Sequence, residues 1–440
     1  MRYHIVTLGC AKNVADSERI TRVLGAGDHA EVAAPDAADV VIVNTCGFID
    51  AAKDESVTTI VELAQAKRRG QKLVVAGCLT AIHGDELKAE VPEIDAVFGA
   101  EDWAGIGKYA AMVEPVVLDR QRYDIPETTR VARPSAYLKI SDGCNAPCTF
   151  CIIPKMKGKL HSTPADDLIT EARRIAGEGV REIVLVAQDS TDYGRDLGLR
   201  DALPELLERL SAAVPDVPWI RIMYAYPGHV TPKLAETMAR LPNVARYIDI
   251  PLQHAAESVL QRMKRPSNTR MVREMFGSLR SAMPDIAIRT TFIVGYPGET
   301  DAEFNELLAF VREMEFDHVG CFTFSPQSES PAAHEPDPVP EKIKKRRQRQ
   351  LMEVAQQVSI MRNRLMVGRE IDVLVESLSE TEEGERAGIA VGRSYRDAPE
   401  VDGLVLLEGA FQPGDFVRAT VTSALAYDLV ARPIAQAVTT

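Results

Sequence analysis

The sequence predicts an α/β protein in three parts: a small parallel α/β domain, a partial barrel of six βα units, and a small all-β barrel at the carboxyl end. Three observations carry this reading. Short apolar runs alternate with helical stretches over residues 1–118, and the same alternation returns on a larger scale over 135–330. Five short strands with Gly and Pro turns then follow residue 370. The length, 440 residues, exceeds one ordinary core and accords with two or three domains.

In the first part the runs YHIVTLGC, DVVIVNTC and KLVVAGC, with AVFGA following, read as strands. Stretches between them, such as 50–69, carry apolar residues at helical spacing. Residues 119–134 (DRQRYDIPETTRVARP) are polar and hold two prolines, which predicts a linker. Over 135–340 the strand candidates are AYLKIS, EIVLVAQD, WIRIMYAYP, YIDIPLQH, IAIRTTFIVGYP and HVGCFTFS. Helical intervals separate them, so a barrel follows, complete or partial, with its site at the carboxyl ends of the strands. Residues 341–369 form a helical segment with nine Lys or Arg against two Glu, a net of +7. Residues 370–440 hold IDVLVE, GIAVGRS, GLVLLEG, DFVRATVTSA and AYDLVA, with thirteen acids and five arginines, a net of −8.

Composition narrows the function. With 45% hydrophobic and 26% charged residues, disorder throughout is excluded. No apolar run reaches the eighteen or so residues that span a bilayer, and the opening MRYHIVTLGC reads directly as a strand. A soluble, cytoplasmic protein with no membrane partner is expected. The net charge of −13 argues against general nucleic-acid binding and favours a basic protein or a small molecule as partner.

The seven cysteines are placed unevenly, and six of them form two sets of three. Cys144, Cys148 and Cys151 stand in C-x-x-x-C-x-x-C spacing directly after the strand AYLKIS. Three thiolates without a nearby fourth fit a 4Fe-4S cluster with one iron open. The competing zinc loop would borrow Cys321 or His161 as its fourth ligand. Cys10, Cys46 and Cys78 each stand at or just past the carboxyl end of a predicted strand. Parallel strands share that edge, so these thiols can converge across 36 and 32 residues and hold a second 4Fe-4S cluster. Asn13, Asn44 and Thr45 are placed to donate hydrogen bonds to its sulfurs, and Cys321 reads as a core residue.

The loop CNAPCTFC, with Phe150 before its last cysteine, resembles that of the radical S-adenosylmethionine (SAM) enzymes. The resemblance implies that SAM binds the open iron and is cleaved to a 5′-deoxyadenosyl radical. It further implies SAM contacts at Gln188 and Asp189 after the second strand, at Arg289, and at Gly295 and Glu299 in TFIVGYPGE, a stretch that a simple Gly-Pro turn explains equally well. Tyr224, Tyr226, Tyr296 and His254 lie near strand ends and are candidates for the cleft or for the core.

Taken together, the three parts resemble the methylthiotransferases over nearly the whole chain. This resemblance implies an amino-terminal flavodoxin-like parallel α/β domain, a radical-SAM partial (β/α)6 TIM-type barrel and a TRAM-like β-barrel. In that family one SAM methylates a cluster-bound sulfur and a second generates the radical that abstracts hydrogen. Two branches differ in substrate. LGCAKNVADSERI and GRSYRDAPEVDG resemble the branch called RimO, which modifies the β-carbon of an aspartate in small-subunit ribosomal protein twelve. The other branch modifies tRNA adenosine and usually carries Gln-Met-Asn after the first cysteine. The acidic terminal barrel agrees with the protein branch. A low-potential electron donor such as flavodoxin or ferredoxin, and a sulfur donor, are the further partners implied. A zinc-stabilised scaffold without catalysis is the reading from a different class.

Overall fold

The computed structural model describes residues 1–100, 102–113, 134–380 and 386–434. All but the last residue of the expected 119–134 linker lie outside these.

The amino-terminal sheet is parallel in the order β2-β1-β3-β4-β5, from β1 (Arg2–Thr7), β2 (Ala30–Glu31), β3 (Val40–Thr45), β4 (Lys72–Gly77) and β5 (Ala96–Val97). This is the flavodoxin-like order. Helix α1 (Ala11–Gly25) follows β1, α2 (Asp50–Ala66) follows β3, α3 (Thr80–Glu90) follows β4 and α4 (Trp103–Met112) follows β5. In β3, Val40 and Ile42 point to the face covered by α1 and α4, whereas Val41 and Val43 point to the face covered by α2 and α3. A strand buried on both faces reads as a continuous apolar run, which is why VVIV shows no alternation. The chain therefore leaves β1 and β3 toward opposite faces, and a crevice opens at their carboxyl ends.

The middle sheet has six parallel strands in sequence order: β6 (Ser135–Lys139), then, past a small hairpin of β7 (Ser141–Asp142) and β8 (His161–Ser162), β9 (Glu182–Val186), β10 (Trp219–Ile222), β11 (Val244–Asp249), β12 (Ala287–Val294) and β13 (His318–Thr323). The two edge strands do not pair, so the barrel is partial. Its outer layer of helices packs on the aliphatic outer face of the sheet. The long helix Glu341–Arg364 closes this layer through Leu351 and Val354. Its basic run is not simply a solvated face. Lys344 and Arg347 turn inward, donating to the carbonyls of Phe324 and Glu299 at 2.8 and 3.0 Å, while Lys342, Lys345, Arg346 and Arg349 stay exposed.

At the carboxyl end β14 (Glu370–Glu380), β15 (Arg386–Arg393), β16 (Val405–Glu408), β17 (Phe416–Ala424) and β18 (Leu429–Pro433) close into a barrel in the order β14-β15-β16-β18-β17. This barrel and α1 together fill the open inside of the middle sheet. Tyr137, Val184, Trp219 and Tyr247 of the sheet meet Ala11 and Ala15 of α1 and Leu374, Ala398 and Phe416 of the terminal barrel. The segment 393–403, within the stretch GRSYRDAPEVDG, is the joint. Arg393 pairs with Glu182 at 2.6 Å, Arg396 with Asp317 at 2.9 Å, and Asp402 accepts from Tyr247 at 2.6 Å. Arg221, wholly buried, pairs with Glu182 at 2.6 Å and donates to the Tyr395 carbonyl. Burial pushes the Glu182 carboxyl up, but Arg393 and Arg221 overcome this and hold it down at about 2.

Candidate active site at the crevice between two cysteine triads

Cys10 is the N-cap residue of α1, Cys46 follows β3 and Cys78 follows β4. Two glycines let these three strand ends converge. Gly9 and Gly77 have φ of +100° and +105°, a region that side chains rarely adopt. A Cβ on Gly9 would lie 2.7 Å from the Cys46 Cβ, and one on Gly77 would lie 2.6 Å from Asn44 Oδ1 and the Thr45 carbonyl. Each turn must therefore be bare for its cysteine to come in. Asn13, Asn44 and Thr45 brace the turns rather than reaching the sulfurs. Asn13 donates to the Thr45 carbonyl at 2.9 Å, Asn44 to the Asn13 carbonyl at 2.8 Å, and Thr45 to the Ala76 carbonyl at 2.6 Å. The one sulfur contact in this set runs the other way, from the Cys10 thiol to Asn13 Oδ1 at 3.7 Å.

Cys144, Cys148 and Cys151 sit on a loop held by its own backbone. The Ala146 amide donates to Cys144 Sγ and the Ile153 amide to Cys151 Sγ, both at 3.4 Å, and Arg265 donates to Cys148 Sγ at 3.7 Å. Phe150 is half-buried against Tyr296, Phe324 and Met263, and the Thr149 hydroxyl lies 2.9 Å from the Tyr296 hydroxyl. In this structure Phe150 and Tyr296 anchor the loop by packing.

The two triads meet at one place. Cys78 packs against Ile152, which directly follows Cys151, and against Met156, at the end of the short helix Ile153–Met156 after the loop. Lys12, on α1, is held 3.7 Å above the ring of Tyr224, and Cys10, Cys78 and Cys151 all act on it or are acted on by it electrostatically. Tyr224 itself has a φ of +61°, fixed by its amide donating to Asp249 at 3.2 Å and its carbonyl accepting from Ser190 at 3.0 Å. A strained backbone over-determined in this way is a common mark of a functional site. A buried ion cluster locks the two halves: Lys139 lies 2.5 Å from both Asp16 and Asp142, and Lys157 lies 3.1 and 3.2 Å from the same carboxylates. Asp16 belongs to α1, so the helix that starts at Cys10 is fixed to the loop region that carries the second triad.

The donor set suits iron–sulfur clusters. Four of the six thiols are pushed up by burial: Cys78 and Cys151 to about 12, and Cys46 and Cys144 in the same direction. Such thiols become thiolates only against a cationic centre. A lone zinc ion holds its sulfurs at about 2.3 Å and hence roughly 3.8 Å apart. Among the described residues neither triad closes to within 4.8 Å; the trio that does is Asp189, Asp192 and His229. Among the described residues no fourth ligand joins the second triad. Cys321 in β13 has Glu299 as its charged neighbour, and the exposed His161 has Asp196.

The remaining expected residues divide. Gln188, just past β9, has a buried Oε1 without a hydrogen-bond partner, the kind of orphaned acceptor that a bound ammonium satisfies. Asp189 caps its own turn through the Thr191 and Asp192 amides and holds His229 Nδ1 at 3.0 Å, which raises that imidazole's pKa. Gly295, at φ +75°, receives no side chain because Lys344 Cγ occupies the space, and its amide donates to Glu299. Glu299 Oε1 and His254 Nε2 face each other at 3.6 Å, too long for a hydrogen bond, and each is otherwise unpartnered. Arg289 stands apart from this group. It lies early in β12, bound to Asp249 at 2.8 Å and Asp402 at 3.1 Å, where it ties the terminal barrel to the sheet. Tyr226 borders the second triad, and burial raises its hydroxyl to about 12. Sequence reasoning did not single out Lys12, Arg265 or His229. Lys12 had a signal, its place two residues past Cys10, whereas Arg265 and His229 approach through the fold alone.

Comparison with known proteins matches the three parts of the chain. Residues 2–99 match the family described as "Uncharacterized protein family UPF0004", 138–311 the radical SAM superfamily and 367–434 the TRAM domain. The chain is 46% identical to the ribosomal protein uS12 methylthiotransferase RimO of Herpetosiphon aurantiacus, covering 98% of this chain and 99% of that one. It is also 46% identical to RimO of a Roseiflexus species, over 98% and 96%. Among solved structures, the radical SAM methyltransferase TsrM from Kitasatospora setae has a TM-score of 0.55 at 14% identity, over 75% of this chain and 76% of that one, a likeness of fold. The cofactors are SAM and two 4Fe-4S clusters. The chain belongs to the RimO family of radical-SAM methylthiotransferases.

Proposed function

We propose that the protein inserts a methylthio group at the β-carbon of an aspartate in small-subunit ribosomal protein uS12, consuming two SAM. The observation that carries this is the meeting of the two triads in one crevice through Cys78, Ile152 and Met156. When bound, the clusters and SAM supply sulfur, the methyl group and the one-electron chemistry that removes hydrogen from an unactivated carbon. The chain's own residues do the rest. Cys10, Cys46 and Cys78 hold one cluster and Cys144, Cys148 and Cys151 the other. Gln188 would accept from the SAM ammonium, with Asp189, Gly295 and Glu299 shaping the walls around it. Phe150 fixes the loop, and the Lys139–Asp16–Lys157–Asp142 cluster sets the separation of the two halves.

A protein substrate fits the charge of the terminal barrel better than RNA does. Its arginines with described side chains are all engaged: Arg393 and Arg396 are buried in the joint, Arg418 pairs with Asp372, and Arg432 with Glu408. Two of the four are buried and the other two are charge-paired at the surface, so the barrel, with thirteen acids against five arginines, offers phosphate no basic face. Among the described residues no helix is long and apolar enough to cross a membrane. The reading places the enzyme in the cytoplasm with a flavodoxin or ferredoxin as reductant and a separate sulfur donor.

The test is mass spectrometry after anaerobic incubation of the reconstituted chain with SAM, reductant and sulfide, offering uS12 and bulk tRNA in parallel. Replacement of H by SCH3 on an aspartate of uS12 is expected. The same gain on tRNA adenosine overturns the reading.

A further inference from the structure

We propose that Lys12 receives the side-chain carboxylate of the substrate aspartate, and so selects an acidic residue for modification. The inference rests on the substrate reading above and adds to it the residue that recognises the reacting side chain.

Lys12 is carried into the crevice by the first turn of α1, two residues past Cys10. Its ammonium sits over the Tyr224 ring at 3.7 Å. Among the described residues it makes no ion pair or hydrogen bond. Besides Tyr224, its electrostatic neighbours include Cys10, Cys78 and Asp142. Asp142 is already shared between Lys139 and Lys157 at 2.5 and 3.2 Å, so it does not neutralise a third cation. The Lys12 side chain is half-buried, and a partly desolvated ammonium gains most from a directly paired anion. Lys12 is thus a half-buried cation with a π-face beneath it and no carboxylate paired to it among the described residues.

Its location says which anion. Cys151 of the second triad, like Cys10 and Cys78 of the first, is within electrostatic reach of Lys12. Lys12 stands in the first turn after Cys10 and over Tyr224, so a carboxylate on this ammonium would sit in the crevice that both triads border. An aspartate carboxylate is one bond from its β-carbon, so anchoring the former positions the latter. Tyr224, held at positive φ by Asp249 and Ser190, keeps the lysine from folding away. The competing role, balancing the charge of a cluster on Cys10, Cys46 and Cys78, predicts loss of iron when the lysine is removed.

The experiment uses the full chain loaded with both clusters and SAM, under anaerobic conditions, and two labelled uS12 peptides that differ only in carrying Asp or Asn at the target position. Wild type is expected to bind the Asp peptide at least about tenfold more tightly than the Asn peptide, the range for a close charge pair. Lys12→Met should bring the ratio to about one by weakening the Asp peptide alone, with iron and sulfide content equal to wild type, and Lys12→Arg should restore most of the preference. A preserved ratio in Lys12→Met overturns the assignment. So does loss of iron from the first triad in that variant, which would give the lysine to the cluster. A wild-type chain that binds neither peptide overturns the substrate reading, and the assignment of Lys12 falls with it.

Discussion

The two cysteine triads reach the same crevice by opposite routes. In the first, residues 36 and 32 positions apart are brought together by the register of a parallel sheet, where Val43 pairs with Val75 and Val6 with Val43. In the second, eight consecutive residues turn back on themselves, and the loop's own amides donate to Cys144 and Cys151. A site assembled by a sheet depends on the whole domain, whereas a site assembled by a loop depends on a few local bonds. The two should therefore fail differently.

The largest separation comes from removing a ligand on either side. Cys148→Ala should abolish SAM cleavage, followed as 5′-deoxyadenosine, while iron in the first triad remains. Cys46→Ala should leave SAM cleavage but give no methylthio product by mass spectrometry. Unchanged product in either variant would remove that cysteine from its assigned role.

Next in size is the lock that both halves share. Asp16→Asn takes a carboxylate from Lys157 and Lys139, whose side chains are only 2% and 11% exposed. Breaking a buried ion pair on one side costs about 3 kcal/mol or more. Thermal unfolding followed by circular dichroism should show a clear drop in Tm, with coupling between SAM cleavage and product formation lost before SAM cleavage itself. A Tm equal to wild type would mean that the apolar contacts of Ala11, Val14 and Ala15 hold the halves alone.

A smaller effect, confined to one triad, is expected at Gly77→Ala. The new Cβ must displace the Thr45 backbone, and the φ of +105° adds strain, together about 1–3 kcal/mol. Iron analysis should show partial loss from the first triad and full occupancy of the second. Equal loss from both would say that the second loop leans on the sheet more than its local hydrogen bonds imply.

The same contrast explains what could be read from the sequence. The second triad was legible as a string, since its spacing and its place after a first strand lie within a few residues. The first triad became legible only once three strand ends were imagined on one edge, and the GC pairs at 9–10 and 77–78 hinted at the turns. Neither reading found what Asn13, Asn44 and Thr45 do. A short polar side chain beside a metal ligand looks the same in sequence whether it faces the sulfur or the neighbouring carbonyl. Arg289 was hidden for a related reason: its partner Asp402 is 113 residues away, in another domain. GRSYRDAPEVDG resembled the protein-modifying branch, and the structure gives it a physical task as the joint between the terminal barrel and the sheet. Such a joint is invisible to periodicity, because none of its charges follows a helix or strand repeat.

The smallest effect should come from Arg265, which donates to Cys148 from outside the loop while lying 4.2 Å over the Tyr226 ring. Among the described residues no arginine donates to a sulfur of the first triad. Adding an electron to a cluster increases its negative charge, so a guanidinium beside a ligating sulfur stabilises the reduced state. Arg265→Gln should therefore lower the midpoint potential of the second cluster, slow SAM cleavage at a fixed reductant potential, and leave the first cluster's potential where it was. Iron content should not change, because the amides of Ala146 and Ile153 still hold the loop. Redox titration monitored by electron paramagnetic resonance checks this. A shift in both potentials would show that the two clusters sense one field across the crevice, and the contrast between a sheet-built and a loop-built site would then hold for assembly but not for electronics.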